Sequence, residues 1–209
     1  MEIHALKGLG LSANRNNALR HCRGEIVLTA DDDLRYEAED LKRVIEAFAK
    51  RPKMDLAQFR FYGSPWPWPE KESVLGRRLP KGLPVISFCQ AFRRKSVEGL
   101  RYDEQFGLGA AVWQAGEEDV FLHDARRRGL ECRYIPEYIV RHEHPSTGER
   151  PATPGVAAAY GKCIAMEYPL TCILRIPLKA WRESRKGGSF LNILCHAVRG
   201  AVKRRKRRD

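Results

Sequence analysis

Three adjacent aspartates, Asp31, Asp32 and Asp33, follow an apolar segment, residues 25–30, that favours a short buried strand. Neighbouring carboxylates repel one another unless a cation neutralises them. Side chains alternate along an extended chain, so Asp31 and Asp33 can point the same way and hold Mg²⁺ or Mn²⁺ through their oxygens. A solvated acidic turn is the alternative that this motif leaves open.

A second acidic cluster, Gly116-Glu117-Glu118-Asp119, opens a segment that favours a helix over residues 117–128. Acidic side chains in the first turn interact favourably with the helix dipole, which alone would explain their presence. A carboxylate held near a hydroxyl can also accept its proton as a general base. The cluster is therefore a candidate catalytic element, with helix stabilisation as the alternative.

Two further groups could bind a cation or an anion. His142 and His144 flank Glu143 after a predicted strand, and an imidazole there could ligate the same metal or bind phosphate. Arg15 lies within Asn14–Asn17 at a predicted helix start, where backbone N–H groups and a guanidinium favour anions. Structural histidines and surface polar residues are the respective alternatives.

The segments between these groups alternate between helix and strand patterns. Residues 13–21, with Ser12 as candidate N-cap, and residues 38–50 favour helices, whereas residues 25–30 and 56–62 favour strands. This alternation predicts an α/β sheet.

Strand patterns return later in the chain. Residues 84–92 favour one strand, and residues 132–135 and 138–142 favour two short strands separated by Pro136. These segments are expected to extend the same sheet.

Charge is unevenly distributed along the chain. The net charge is +12, of which residues 162–209 contribute +10 and residues 1–161 only +2. A nearly neutral body argues against a nucleic-acid-binding protein, although the basic tail keeps that class as the least favoured alternative. No apolar run is long enough for a spanning helix, the start lacks a secretory signal pattern, and no cysteine pair has the C-x-x-C spacing of zinc or redox motifs.

The last segment combines an apolar helix face with a cationic end. Residues 190–208 favour a helix with one apolar face that ends in six consecutive cations, residues 203–208; the apolar face consists of Leu191, Leu194, Val198, Ala201 and Val202. This pattern is typical of a helix lying on an anionic membrane surface. A packed helix with a solvated tail is the alternative.

The order of these motifs resembles the family 2 glycosyltransferases of the GT-A fold. Ser-x-x-Arg-Asn precedes Gly-Glu-Ile and Asp-Asp-Asp; Phe-Gly-Leu-Gly-Ala and Glu-Glu-Asp-x-x-Leu follow; Ile-Pro-Glu and a histidine close the series. The resemblance runs from about residue 11 to residue 148, which is two thirds of the chain.

The resemblance implies an α/β fold with a Rossmann-like GT-A sheet and a helical C-terminal extension. The expected domains are a partial GT-A domain over residues 1–150 and a helical, basic, membrane-surface extension over residues 151–209. The family transfers a sugar from a nucleotide-diphosphate sugar to an acceptor hydroxyl with inversion at the anomeric carbon. A glycan or lipid-linked acceptor in cell-surface polysaccharide synthesis would fit, in the cytoplasm or at the inner face of the membrane.

The resemblance assigns donor-binding roles residue by residue. Asp31 and Asp33 match the D-x-D element that binds Mn²⁺ or Mg²⁺ and the donor diphosphate, and Asp32 matches the position near the donor ribose or sugar. His142 matches the histidine that completes the metal or diphosphate site. Arg15 matches the arginine of the donor-binding helix. Gly109 lies in a loop, residues 106–111, whose backbone could approach the transferred sugar.

The resemblance also assigns the catalytic and acceptor roles. Asp119 matches the catalytic base, and Glu118 would assist substrate placement. Glu117 and Trp113 are expected to bind the acceptor. Trp66, Trp68 and Trp113 could offer flat faces to sugar rings, with ordinary packing as the alternative.

The start of the chain departs from the family pattern. Family members open with a buried strand, a helix and a second strand that form the nucleotide pocket, and about 50–60 such residues have no counterpart before Gly8. We therefore expect an N-terminally truncated sheet. An inactive remnant or one subunit of a split enzyme is the alternative to an active transferase.

Overall fold

The computed structural model describes residues 10–64, 67–142 and 151–206. The contacts between residues divide the chain into two compact units. The first unit comprises Met1–His21, Tyr102–Val120 and Ser146–Asp209, and the second comprises Cys22–Arg101 and Phe121–Pro145. The expected domain boundary at residue 150 stays a prediction.

Six α-helices and one 3₁₀ turn form within the described ranges. The helices are α1 (Leu11–His21), α2 (Ala38–Ala49), α3 (Glu117–Arg127), α4 (Pro154–Glu167), α5 (Cys172–Ser184) and α6 (Phe190–Val202); the 3₁₀ turn is Ser87–Cys89. Helix α2 has a capping box in which the Asp40 side chain accepts from the Glu37 backbone N–H. Thr153 and Ser189 cap α4 and α6 through their hydroxyls. The predicted mixed α/β class is confirmed.

All six strands belong to the second unit and form one sheet. They are β1 (Ile26–Leu28), β2 (Leu34–Arg35), β3 (Leu56–Tyr62), β4 (Ser73–Val74), β5 (Gln90–Arg93) and β6 (Cys132–His142). The order is β1-β5-β3-β6-β2, and β4 pairs with β6. Among these six strands of the described residues, β3 and β6 pair in parallel and the other pairings are antiparallel. Helix α2 packs against β6.

Two strand predictions are wrong in detail. Residues 84–92 contain the 3₁₀ turn before a short strand at Gln90–Arg93. Pro136 does not separate two strands, because β6 continues through it. Gln58 pairs with Tyr134 and Arg60 pairs with Tyr138, so the extra residues of β6 around Pro136 form a bulge. Proline is tolerated in the bulge because no backbone N–H is needed there for a hydrogen bond to β3.

The helices of the first unit pack through small side chains. Gly161 lies against the backbone of Ala197, and Gly200 lies against the backbone of Ala158, so neither position has room for a Cβ atom. These contacts bring α4 and α6 close together, and α5 packs on both. Helix α6 consequently buries Ile193, Ala197 and Gly200 rather than its predicted apolar face, and it ends at Val202 instead of Arg208.

Candidate active site

The three aspartates lie in a turn between two short strands of the second unit. Strand β1 ends at Leu28 and is half-buried rather than buried, and β2 begins at Leu34. Asp31 is half-buried, whereas Asp32 and Asp33 are exposed. The pKa of Tyr36 is raised, first by burial, then by the electrostatic interaction with Cys89 and then by that with Asp31.

Strand pairing places Asp33 beside His142. Because Leu34 of β2 pairs with His142 at the end of β6, the residue before Leu34 is brought next to the imidazole. His142 Nε2 lies 3.3 Å from Asp33 Oδ2. The His142 ring stacks on Phe88, with centroids 5.4 Å apart and planes 2° apart. The imidazole is thus held on one face by an aromatic ring and faces a carboxylate.

The expected metal ligands were Asp31, Asp33 and His142. Within residues 10–64, 67–142 and 151–206, no three His, Cys, Asp or Glu side chains are grouped closely enough to hold a metal ion. A carboxylate beside an imidazole suits a divalent cation, but two such groups leave most coordination positions to other oxygens. The pair could therefore hold a divalent cation only if other groups supply the remaining ligands. His144, the rival histidine, lies outside the described residues.

The second acidic cluster lies at the start of α3, in the first unit. Glu117 is buried and accepts a hydrogen bond from Arg15 Nη1 at 2.7 Å. Arg15 is itself 8% exposed and lies over the ring of Tyr102. The residues predicted to contact donor and acceptor are therefore paired with each other, and their ligand-binding roles stay predictions.

Glu118 and Asp119 differ in their surroundings. The Oε2 atom of Glu118 is buried and has no hydrogen-bond partner in the described part of the chain. Burial first, and then repulsion from Glu117 and Asp119, raises the pKa of Glu118 well above the usual range of a carboxyl group. Asp119, the expected base, is half-buried. Glu118 therefore keeps its proton to higher pH than an ordinary carboxyl group, and while it does so there is less like charge beside Asp119.

The glycine-rich loop, residues 106–111, packs against both helices that carry these groups. Ser12 was expected to cap α1, but the helix begins at Leu11 and the Ser12 hydroxyl donates to the Phe106 carbonyl at 2.7 Å. Gly107 has φ of 96°, and a Cβ atom there would lie 3.1 Å from Glu117 Oε2. Gly109, the predicted donor-binding residue, also has a positive φ. The loop thus fixes α1 and the start of α3 within the first unit.

The tryptophan predictions do not fit the structure. Trp113 is 1% exposed, stacks on Phe106 with centroids 4.6 Å apart, and donates from Nε1 to the Gly200 carbonyl. Trp68 is buried and stacks on Tyr134. Neither ring can present a free face to a sugar, because both are part of the packed interior. Trp66 lies outside the described residues.

Sequence reasoning missed the residues that hold Arg15 in place. The Asn16 side chain donates to the Tyr102 carbonyl at 2.9 Å and accepts from the Tyr102 backbone N–H at 2.8 Å. These two hydrogen bonds fix the backbone of Tyr102, whose ring lies beneath the Arg15 guanidinium. The Asn-Arg-Asn segment by itself predicts only an anion site. The residues near it in sequence do not indicate a contact with Tyr102, which is 86 positions from Asn16.

Comparison with known proteins gives one family. Residues 3–101 match the sequence pattern of glycosyl transferase family 2. The matched segment, which is just under half of the chain, is similar to this family. It includes Arg15 and the three aspartates, whereas Asp119 and His142 lie beyond it. No curated protein matches the chain by sequence.

Several solved structures have a similar fold. The chain resembles S. aureus TarS 1-349 in complex with UDP (TM-score 0.52, 15% identity, covering 85% of this chain and 48% of that one). It also resembles the same protein with UDP-GlcNAc (0.54, 16%, 89% and 52%) and S. aureus TarS (0.54, 13%, 90% and 42%). The chain thus spans about half the length of these solved chains. At these identities the likeness concerns the fold, and the expected GT-A fold is confirmed.

Proposed function

We propose that this chain is a family 2 glycosyltransferase, which moves a sugar from a nucleotide-diphosphate sugar to an acceptor hydroxyl in the synthesis of a cell-surface polysaccharide. The family match across the acidic turn carries this proposal. Two of the similar structures hold UDP and UDP-GlcNAc, which makes a uridine diphosphate sugar the first donor to test. A glycan or lipid-linked hydroxyl is the proposed acceptor.

The proposed donor site is the turn that carries the three aspartates. Asp33 and His142, which lie 3.3 Å apart, would hold Mn²⁺ or Mg²⁺ together with Asp31. A divalent cation bound there supplies Lewis acidity that offsets the charge of the leaving diphosphate. Asp32, exposed at the tip of the turn, is available to contact the ribose or the sugar.

The proposed base is Asp119. Glu117 is committed to Arg15, and Glu118 holds its proton to higher pH than an ordinary carboxyl group, so Asp119 is the acid of this cluster best suited to accept a proton. Glu118 would help to position the substrate. One base acting on the acceptor, with no carboxylate nucleophile, gives a single displacement and therefore inversion, unlike the two-step route of retaining hydrolases.

The test is nucleotide release by the purified chain from UDP-, GDP- and dTDP-sugars with Mn²⁺. The Asp119→Asn variant is expected to lower turnover by about 10²–10⁴-fold, because it removes the proton acceptor. Asp124→Asn, the same substitution further along α3, serves as matched control and is expected to retain turnover. Nuclear magnetic resonance of the product should show the inverted anomer.

Two outcomes would count against the proposal. Unchanged turnover in Asp119→Asn would remove the base assignment while leaving the transferase activity in place. Absence of nucleotide release from every donor would favour the alternative of an inactive family member or of one subunit of a split enzyme.

A further inference from the structure

Exposed apolar side chains are concentrated in one part of the first unit. Nine of the thirteen large hydrophobic side chains exposed in the described ranges lie between Leu170 and Val202. Isolated apolar residues are common on any surface, but a concentration of this kind marks an interaction site.

Helix α5 has three distinct sides. One side is buried in the unit and includes Ile176 and Ala180. A second side is apolar and exposed, because residues three or four positions apart share a helix face. Its members, all at least 46% exposed, are Ile173, Leu174, Leu178 and Trp181. The third side carries Arg175 and Arg182, both exposed to solvent.

Helix α6 repeats this arrangement. Its exposed apolar side consists of Phe190, Leu191, Val198 and Val202, and its polar side carries Arg199. Because its small residues face α4, Leu191, Val198 and Val202 of the predicted apolar side are exposed, whereas Leu194 packs against the interior. We call the exposed apolar sides of α5 and α6 the apolar rows.

The charges around the apolar rows are almost all positive. Residues 170–206 contain ten Lys and Arg side chains and one acid, Glu183. Glu183 is buried and paired with Lys179 at 2.8 Å and Lys186 at 2.9 Å. The exposed charge beside the apolar rows is therefore cationic.

The described cations after α6, residues 203–206, make several contacts within the first unit. Arg205 Nε lies 2.5 Å from Asp103 Oδ2, and the backbone N–H of Lys206 donates to the Gln105 side chain at 3.0 Å. The Lys162 ammonium donates to the Lys203 carbonyl at 2.6 Å. Arg205 is thus tied to an acid rather than solvated, and the neighbouring exposed cations are held at the end of α6.

We propose that the apolar rows of α5 and α6 dock this unit onto an anionic lipid surface, with the adjacent cations contacting lipid phosphates. Apolar side chains flanked by cations are the features that an interfacial helix needs. No helix in the described part of the chain is long and apolar enough to span a bilayer. A second copy of this chain is a poorer occupant, because it would bring like charges together. This docking is separate from the chemistry proposed above.

The first experiment is cosedimentation of the full chain with lipid vesicles. Vesicles of phosphatidylcholine with about one third phosphatidylglycerol should bind the chain, with affinity that falls as salt rises, whereas phosphatidylcholine alone should bind it weakly. Equal binding to both vesicles, or no binding to either, would overturn the proposal.

Variants of exposed residues test the apolar rows without disturbing the core. Ile173→Ser/Leu174→Ser and Leu191→Ser/Val198→Ser should each weaken vesicle binding about tenfold or more. Leu41→Ser/Ile45→Ser, a matched pair exposed on α2 of the other unit, should bind like the parent. If the α2 pair weakens binding as much, the assignment to α5 and α6 is wrong.

Trp181 reports insertion directly. Brominated lipids should quench the tryptophan fluorescence of the parent, and Trp181→Phe should abolish that quenching while vesicle binding persists. Concentration-dependent dimers in sedimentation velocity that disappear in Ile173→Ser/Leu174→Ser, without vesicle binding by the parent, would instead identify a second copy as the occupant and overturn the proposal.

Discussion

The two acidic clusters of the molecule are held in opposite ways. At the start of α3, Glu117 and Arg15 are both buried and form an ion pair, and the glycine-rich loop packs against them. In the aspartate turn, Asp33 is 41% exposed and lies beside the imidazole of His142. The first cluster is assembled by the fold, whereas the second has polar groups that still face solvent.

This difference suggests that the α3 cluster contributes mainly to folding stability and the aspartate turn mainly to ligand binding. A buried pair cannot lose one partner without leaving a charge in the interior, so the α3 cluster is tied to folding. An exposed acid beside an imidazole contributes little to folding and can accept new ligands at small cost. We therefore expect substitutions in the two clusters to affect different measurements.

The largest expected effect is the loss of Arg15. Arg15→Met leaves Glu117 buried without its cation and should lower the free energy of unfolding by about 3–5 kcal/mol in urea denaturation. Arg35→Met, which removes the exposed pair with Glu37, should cost less than about 1 kcal/mol.

A double variant sharpens this result. Arg15→Met/Glu117→Met replaces the pair with apolar side chains and should recover most of the lost stability, since no buried charge remains. If Arg15→Met is no more harmful than Arg35→Met, the α3 cluster is not held by this pair and the contrast between the clusters fails.

The protonation of Glu118 gives the next effect. Its pKa is raised in the folded state from an unfolded value near 4.5, so the folded chain binds more protons above that pH. The free energy of unfolding should therefore fall as pH rises from about 4.5 towards the folded pKa. Glu118→Gln cannot titrate at this position and should flatten this decline above about pH 4.5, measured by urea denaturation at a series of pH values.

Glu46→Gln on α2 provides the matched control. The Glu46 side chain is 47% exposed and, among the ion pairs described, is paired only with Lys50 on the same helix, so this variant should keep the pH dependence of the parent. An unchanged slope in Glu118→Gln would mean that the buried oxygen of Glu118 does not hold a proton.

Local sequence patterns predicted the elements better than their faces. The bounds of β3 were predicted correctly and those of α2 to within one residue, because hydrophobic periodicity and end signals act over a few residues. The buried side of α6 was missed, since Ala197 and Gly200 are buried for their small size and not for their hydrophobicity. Such close approach depends on a neighbour, α4, that the pattern of α6 does not reveal.

The candidate site shows the same limit. Motif order singled out Arg15, Glu117, Asp33 and His142 as chemically interesting. Their partners could not be predicted, because Arg15 and Glu117 are 102 positions apart and the Asp33–His142 contact depends on the register of β2 against β6. A sequence motif shows which side chains are present, whereas the tertiary fold decides which of them are in contact.

The smallest expected effect on stability, at Asp33, completes the contrast. Asp33→Asn keeps the shape of an exposed side chain and should change the free energy of unfolding by less than about 0.5 kcal/mol. With Mn²⁺ present, the same variant should weaken UDP binding in calorimetry about tenfold or more, because a neutral amide is a poorer ligand for a hard cation than a carboxylate. Glu46→Gln should leave both quantities unchanged. An Asp33→Asn chain that loses stability while binding UDP like the parent would reverse the roles of the two clusters, since the exposed turn would then support the fold and the ligand would depend on other groups.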